Sequence, residues 1–261
     1  MELKSDKFSS VRYHAIFDYK LTKQELIKWQ YKNFKEVTNG IKNNSRLQRE
    51  KYSRDKLIIA KRAAKLLSKI KTVKFVGITG ALAMNNAGKD SDIDLIIITS
   101  HNRLWITRLL VYFVLSTKYF VLRKPRSNNE KDALCLNLWL DEQDLVWNKV
   151  DRNLYTAHEI AQVVSLVNKD KTYQKFLYLN KWILDFWPNS VRIGRYEDKV
   201  MSPDSSFLSY FLFILETFAF KIQYWYMKSK ITREVVTPTR AIFHPNDWGS
   251  VVIKKLSSTN S

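Results

Sequence analysis

The chain has 261 residues, with 44 Lys and Arg against 25 Asp and Glu, a formal net charge of +19 and 45% hydrophobic residues. That much apolar material in this length builds one or two domains with a real core and excludes a disordered polyelectrolyte. A single cysteine, Cys135, excludes an intramolecular disulfide and a cysteine-based zinc cluster, and it fits a reducing, cytoplasmic compartment.

The first third is basic and reads as helical. Residues 1–75 hold 20 Lys and Arg against 7 Asp and Glu, which either attracts polyanions or covers a solvated helix surface. Met1 to Ser10 is charged throughout and lacks the apolar region of a signal peptide. Thr22 with Glu25 three positions on is a capping box, predicting a helix from Lys23 to Phe34. Asn39-Gly40 and Asn43-Asn44-Ser45 mark a break. From Arg54 to Lys69, Leu57, Ile58, Ala60, Ala64 and Leu67 follow helical spacing.

A strand is predicted over Thr72 to Ile78 and a second over Asp92 to Thr99, whose run of isoleucines suggests a strand covered on both faces. A helix over 103–120, a basic polar loop from Arg123 to Asp132 and a third strand from Ala133 to Leu140 complete an α/β core. The remainder reads as helical: Thr156 caps a helix through Glu159, Tyr173 to Phe186 is amphipathic, and Phe207 to Met227 is a long aromatic helix. Beyond Lys228 the pattern is irregular, with Pro238 and Pro245 as breakers, and no internal repeat is present. Leu104 to Leu122 and Phe207 to Phe220 are apolar but interrupted by Arg108, Lys118 and Glu216, so no transmembrane segment is expected. Core helices account for both runs, a monotopic membrane contact being the alternative.

Three of the six glycines, Gly77, Gly80 and Gly88, lie within twelve residues around the turn between the first two strands. Glycine suits a backbone that takes positive φ or approaches a ligand, and equally a plain turn. Asp92 and Asp94, at i and i+2 on a strand, project from one face. Such a pair repels itself unless it shares a cation, typically Mg²⁺, or sits solvated at a strand end. In the long C-terminal helix Ser209, Glu216 and Gln223 share a face, either lining a pocket or forming a buried polar seam. His14, His101, His158 and His244 are scattered with no metal-like spacing, and Trp182, Trp187, Tyr224, Trp225 and Tyr226 suit core packing.

Apolar strand, Gly80, a twelve-residue step and Ser91-Asp92-Ile93-Asp94 on an isoleucine-rich strand together resemble the signature of the DNA polymerase β-like nucleotidyltransferase superfamily, over roughly residues 72–141. The resemblance implies an α/β (α+β) nucleotidyltransferase core with a mixed sheet. It implies transfer of a nucleoside monophosphate from an NTP to an acceptor hydroxyl, with two Mg²⁺ ions held by Asp92 and Asp94. It also implies nucleotide contacts from Gly80, Ala81, Lys89 and Ser91. Lys89 reads equally as a solvated loop lysine.

Two positions depart from the family pattern. Ala81 stands where the family has Ser, and the third carboxylate is replaced: Cys135, Asn137 and Trp139 occupy the alternate face of the third strand, which puts Asn137 at the expected place. These departures leave a second reading, a catalytically degenerate nucleotide- or nucleic-acid-binding protein. A third is a transferase that modifies a protein partner.

The whole chain also resembles a group of bacterial nucleotidyltransferase domain-containing proteins. The matching stretches are Ile16 to Thr22, Val76 to Met84, Cys135 to Leu140 and Leu154 to Ile160. Leu21-Thr22 resembles the opening of the second helix of a winged-helix module, which implies contact with nucleic acid. The expected organisation is a basic helical module over 1–71, the nucleotidyltransferase core over 72–150 and a helical C-terminal domain over 151–261.

Overall fold

The computed structural model describes residues 10–31, 44–124, 130–196, 207–243 and 247–258. Phe34, Asn39-Gly40, Asn43, His244 and Pro245 lie outside them. Its centre is a mixed sheet in the order β4–β1–β2–β3–β6–β5. The strands are β1 (Val73–Ile78), β2 (Ile93–Thr99), β3 (Leu134–Asp141), β4 (Val164–Asn168), β5 (Val235–Val236) and β6 (Arg240–Ile242). β2 and β3 run parallel, joined by a crossover helix, and the other neighbours are antiparallel. The isoleucine run is buried on both faces, as its pattern predicts.

One face of the sheet presents Val76, Ile78, Leu95, Ile97 and Trp139. It is covered by α3 (Asn44–Leu67), α5 (Leu104–Thr117) and α8 (Phe207–Met227). The short turn of helix α4 (Gly80–Ala83) joins β1 to β2. The other face presents Phe75, Ile96, Ile98, Leu138 and Leu140. Over it lie α1 (Ser10–Ala15), α2 (Lys23–Lys28), α6 (Leu154–Ala161), α7 (Thr172–Leu179) and α9 (Trp248–Ser258). Each fully buried Ile or Leu contributes about 1.5–3 kcal/mol.

Several element limits differ from the sequence pattern. The region beyond residue 150 is not purely helical: it supplies β4, β5 and β6. β4 pairs with the free edge of β1, Val164 against Ile78 and Asn168 against Phe75, where its β-branched residues suit a pleated surface. α2 has the predicted capping box but ends at Lys28, because Trp29 turns into a buried aromatic cluster. α3 starts ten residues before the apolar periodicity does, its polar first turns held by Arg46, which pairs with Glu50 one turn on and with Glu25 of α2. The cap of α6 is Asn153, whose Oδ1 accepts from the amides of Tyr155 and Thr156, while Thr156 Oγ1 accepts from the Asn153 amide. The helix predicted over Tyr173 to Phe186 breaks at Asn180, which donates to the Leu145 carbonyl and accepts from the Trp147 amide; a 3₁₀ turn follows.

Among the described residues no helix is long and apolar enough to cross a membrane. Within α8, Glu216 accepts from the Trp105 and Ile106 amides at the start of α5, and Gln223 bonds Arg108 and the Trp105 carbonyl. That polar stripe is a seam between helices rather than a pocket lining; the Ser209 side chain lies outside the described residues.

Candidate active site

The turn between β1 and β2 is built around a carboxylate. The Thr79 amide donates to the Asp94 carbonyl at 3.0 Å, which ties the end of β1 to the start of β2. Gly80 follows at φ +61°, and a Cβ there would overlap Asp94 Oδ2. Both the backbone conformation and the close approach therefore require glycine. Ala81 is exposed, and its carbonyl accepts from the amides of Met84 and Asn86. A Cβ at Gly88 would meet only Ser91 Cβ, at 3.9 Å, an ordinary contact, so nothing there demands glycine.

α3 fixes the loop that delivers the two aspartates. The Lys56 side chain is 1% exposed and its ammonium bonds Asp132 Oδ1 at 2.6 Å, the Ser91 carbonyl at 2.7 Å and the Lys89 carbonyl at 3.2 Å. A buried ammonium is tolerable because a carboxylate and two carbonyls satisfy it. Ser53 accepts from the Ala87 amide. Lys89 thus enters the structure through its carbonyl while its side chain is exposed, and Ser91 Oγ donates to the Gly88 carbonyl, closing the turn.

Asp92 and Asp94 come together with residues of β3. The register runs from Asp94 opposite Cys135 to Ile96 opposite Leu138, so β3 carries one extra residue, a β-bulge at 136–137. Cys135 stays beside the aspartates, and donor atoms of Asp92, Asp94 and Cys135 lie within 4.8 Å of one another. Asn137 is turned onto Asp94, Nδ2 donating to Oδ1 at 2.7 Å, while its own Oδ1 is buried with no partner. Simple alternation puts Cys135, Asn137 and Trp139 on one face; the bulge corrects this, sending Trp139 to the opposite core. Arg123 closes the group: Nη1 lies 2.8 Å from Asp92 Oδ2 and 3.6 Å from Cys135 Sγ, and Nη2 pairs with Glu130. Burial and the neighbouring Asp92 push the Asp94 carboxyl up to about 7, and burial with both aspartates pushes the Cys135 thiol up. Two adjacent carboxylates and an orphaned amide oxygen fit a divalent cation.

A cleft of about 890 Å³ opens beside this group, with Thr79, Ile96, Leu138, Tyr155, Glu159 and Arg240 in its walls. Glu159 accepts from Gln162 Nε2 at 2.6 Å, and burial together with the charge of Asp94 pushes its carboxyl up to about 8. The same surroundings raise the Tyr155 phenol. In the sequence Glu159 reads as part of a helix cap. The Asn153 cap leaves it available to the cleft. Arg240 pairs with Asp144 at 2.7 Å in the far wall.

Two of the scattered histidines also meet. His14 Nε2 lies 3.1 Å from His158 Nε2, both rings buried among Tyr13, Trp29 and Trp187. The Ser10 carbonyl accepts from His14 Nδ1–H, so His14 Nε2 accepts and His158 Nε2 donates.

A mixed sheet with a parallel central pair, a glycine turn pressed on a carboxylate and Asp-x-Asp at the head of the next strand define a nucleotide-transferring α/β core. The nucleotidyltransferase domain family matches residues 59–189, half of the chain, and the chain belongs to that family. Neither the comparison with curated proteins nor that with solved structures finds a match.

Proposed function

We propose that this domain transfers a nucleoside monophosphate from an NTP to an acceptor hydroxyl at Asp92 and Asp94. Gly80 carries this reading: held at φ +61° against the Asp94 carboxylate, it makes the loop and the acidic pair one unit. Asp92 and Asp94 would hold the divalent ions the family uses, which when bound neutralise triphosphate charge and acidify the acceptor hydroxyl. Gly80 and Ala81 present backbone beside that pair, and Lys89 adds an exposed point charge on the same loop. The acceptor oxygen bonds the α-phosphorus, the bond to pyrophosphate breaks, and Glu159 takes the hydroxyl proton from within the cleft.

The solvent side of α3 exposes Lys51, Arg54, Lys61, Arg62 and Lys65, a charge distribution that favours a polyanionic acceptor such as nucleic acid. A second reading has one specific support. Arg123 bridges Asp92 and Glu130 where a cation would sit, and no carboxylate stands at 135 or 137, which suits a nucleotide- or nucleic-acid-binding protein without turnover.

The test is incubation with divalent metal, each labelled NTP, total RNA and total protein, with pyrophosphate release followed in parallel. Label on RNA that disappears in Asp92→Asn and Asp94→Asn supports nucleic-acid transfer, and label on a polypeptide supports a protein acceptor. RNA retention with a steep salt slope and no pyrophosphate supports the second reading.

A further inference from the structure

We infer that Cys135 serves as a sulfur ligand in place of the third carboxylate, so that this site selects thiophilic divalent ions such as Co²⁺ or Zn²⁺ over Mg²⁺. The inference rests on the reading that Asp92 and Asp94 hold a metal, and goes beyond it in naming the metal class and a third donor.

Position comes first. Cys135 stands opposite Asp94 across the parallel β2–β3 pair, and its sulfur lies within 4.8 Å of donor oxygens of both aspartates. With metal–oxygen bonds of about 2.0–2.2 Å and a metal–sulfur bond of about 2.3 Å, donors around one tetrahedral ion stand roughly 3.5 Å apart, which this cluster reaches by side-chain rotation.

The fourth donor is the second observation. Asn137 is 5% exposed, its Nδ2 lies on Asp94 Oδ1 and its Oδ1 has no partner. Rotating the amide exchanges the two atoms and turns an uncharged oxygen toward a cation on Asp94. An amide oxygen adds no charge, so the third anionic donor is either the sulfur or nothing.

Charge and softness then decide the ion. Mg²⁺ takes hard oxygen ligands and keeps its waters, whereas thiolate is a soft ligand. In the binding step a metal–sulfur bond forms, the S–H bond breaks and the proton leaves to solvent. Arg123 already places a positive group between Asp92 Oδ2 and Cys135 Sγ. A divalent ion replaces that contact and leaves the guanidinium on Glu130.

Cys135 is the chain's one cysteine, so any metal–sulfur signal from the full protein reports this residue. Co²⁺ titrated into metal-free wild type should give a thiolate-to-cobalt charge-transfer band that is absent in Cys135→Ser. Zn²⁺ should slow alkylation of Cys135 in wild type at least tenfold, a readout that needs no variant. By calorimetry, Cys135→Ser should weaken Zn²⁺ and Co²⁺ at least tenfold while changing Mg²⁺ less than twofold, and Cys135→Asp should strengthen Mg²⁺ at least tenfold. No cobalt band, together with unchanged Zn²⁺ affinity in Cys135→Ser, overturns the inference. If Mg²⁺-dependent NTP binding is nevertheless lost in Asp94→Asn, the transferase reading stands without it. Failure of wild type to bind any divalent ion defeats both.

Discussion

The two faces of the central sheet bury different chemistry. Toward α3, α5 and α8 the strands present Val76, Ile78, Leu95, Ile97 and Trp139, and the buried acids there, Asp141 and Glu216, accept from backbone amides at the start of α5. Toward α6 and the N-terminal helices the same strands bring Asp94 into a cluster with Asp92 and Cys135, and Glu159, Tyr155, His14 and His158 sit on that side. Burial pushes Asp94 and Glu159 up toward neutrality, so these acids cost stability where they stand. Burial pushes Asp141 and Glu216 up as well, but backbone amides hold both, so the contrast is between acids satisfied by amides and acids that crowd one another.

Substitutions on each face should fail in different ways. Asp94→Asn should lower metal-dependent pyrophosphate release by at least about 10³-fold, on the order of 4 kcal/mol, with a melting temperature equal to or above wild type. A variant that unfolds instead would break the contrast. On the supporting face, Trp105→Ala should cost about 3–5 kcal/mol by denaturant titration while turnover per folded molecule is unchanged. Gly80→Ala should do both at once: strain at positive φ of about 1–3 kcal/mol, and displacement of Asp94 that slows pyrophosphate release about 100-fold. Glu216→Ala strips two amides at the start of α5 of their acceptor, a loss of about 1–3 kcal/mol with activity intact.

The smallest effect is one of pH. Burial holds the His14 imidazole down at about 4, and that of His158 well below its ordinary value. The unfolded chain therefore takes up protons below about pH 6.5 that the folded one refuses. Their contribution is present above that pH and lost as pH falls toward 4. Melting curves at pH 7.5 and 5 should show a smaller acid loss in His14→Asn/His158→Asn than in wild type; an equal slope would assign the acid sensitivity elsewhere.

The core elements were legible because their signals are local. An isoleucine run buried on both faces needs no distant partner to be recognised, and Gly80 to Asp94 is a fixed step within one strand–turn–strand unit. β4 was hidden because a five-residue edge strand between helices carries little periodicity, and it forms because β1 has a free edge. Lys56 looked like one more lysine of a basic helix; its three partners lie 33 to 76 residues away. The His14–His158 contact spans 144 residues, beyond any spacing rule. Period-two counting failed on β3 for a single reason, the extra residue of the bulge, which keeps Asn137 with Cys135 and sends Trp139 to the other side.

That bulge divides β3 into a socket and an anchor. From Leu138 onward the strand is locked by pairing with β6 and by core packing, so substitutions there are felt throughout the sheet. Cys135 lies ahead of that anchorage and Asn137 at its edge, its carbonyl accepting from the Phe243 amide, so a donor exchanged at 135 does not shift the strand's register. If Cys135 ligates as inferred, a single codon there would change the ion and leave the architecture untouched.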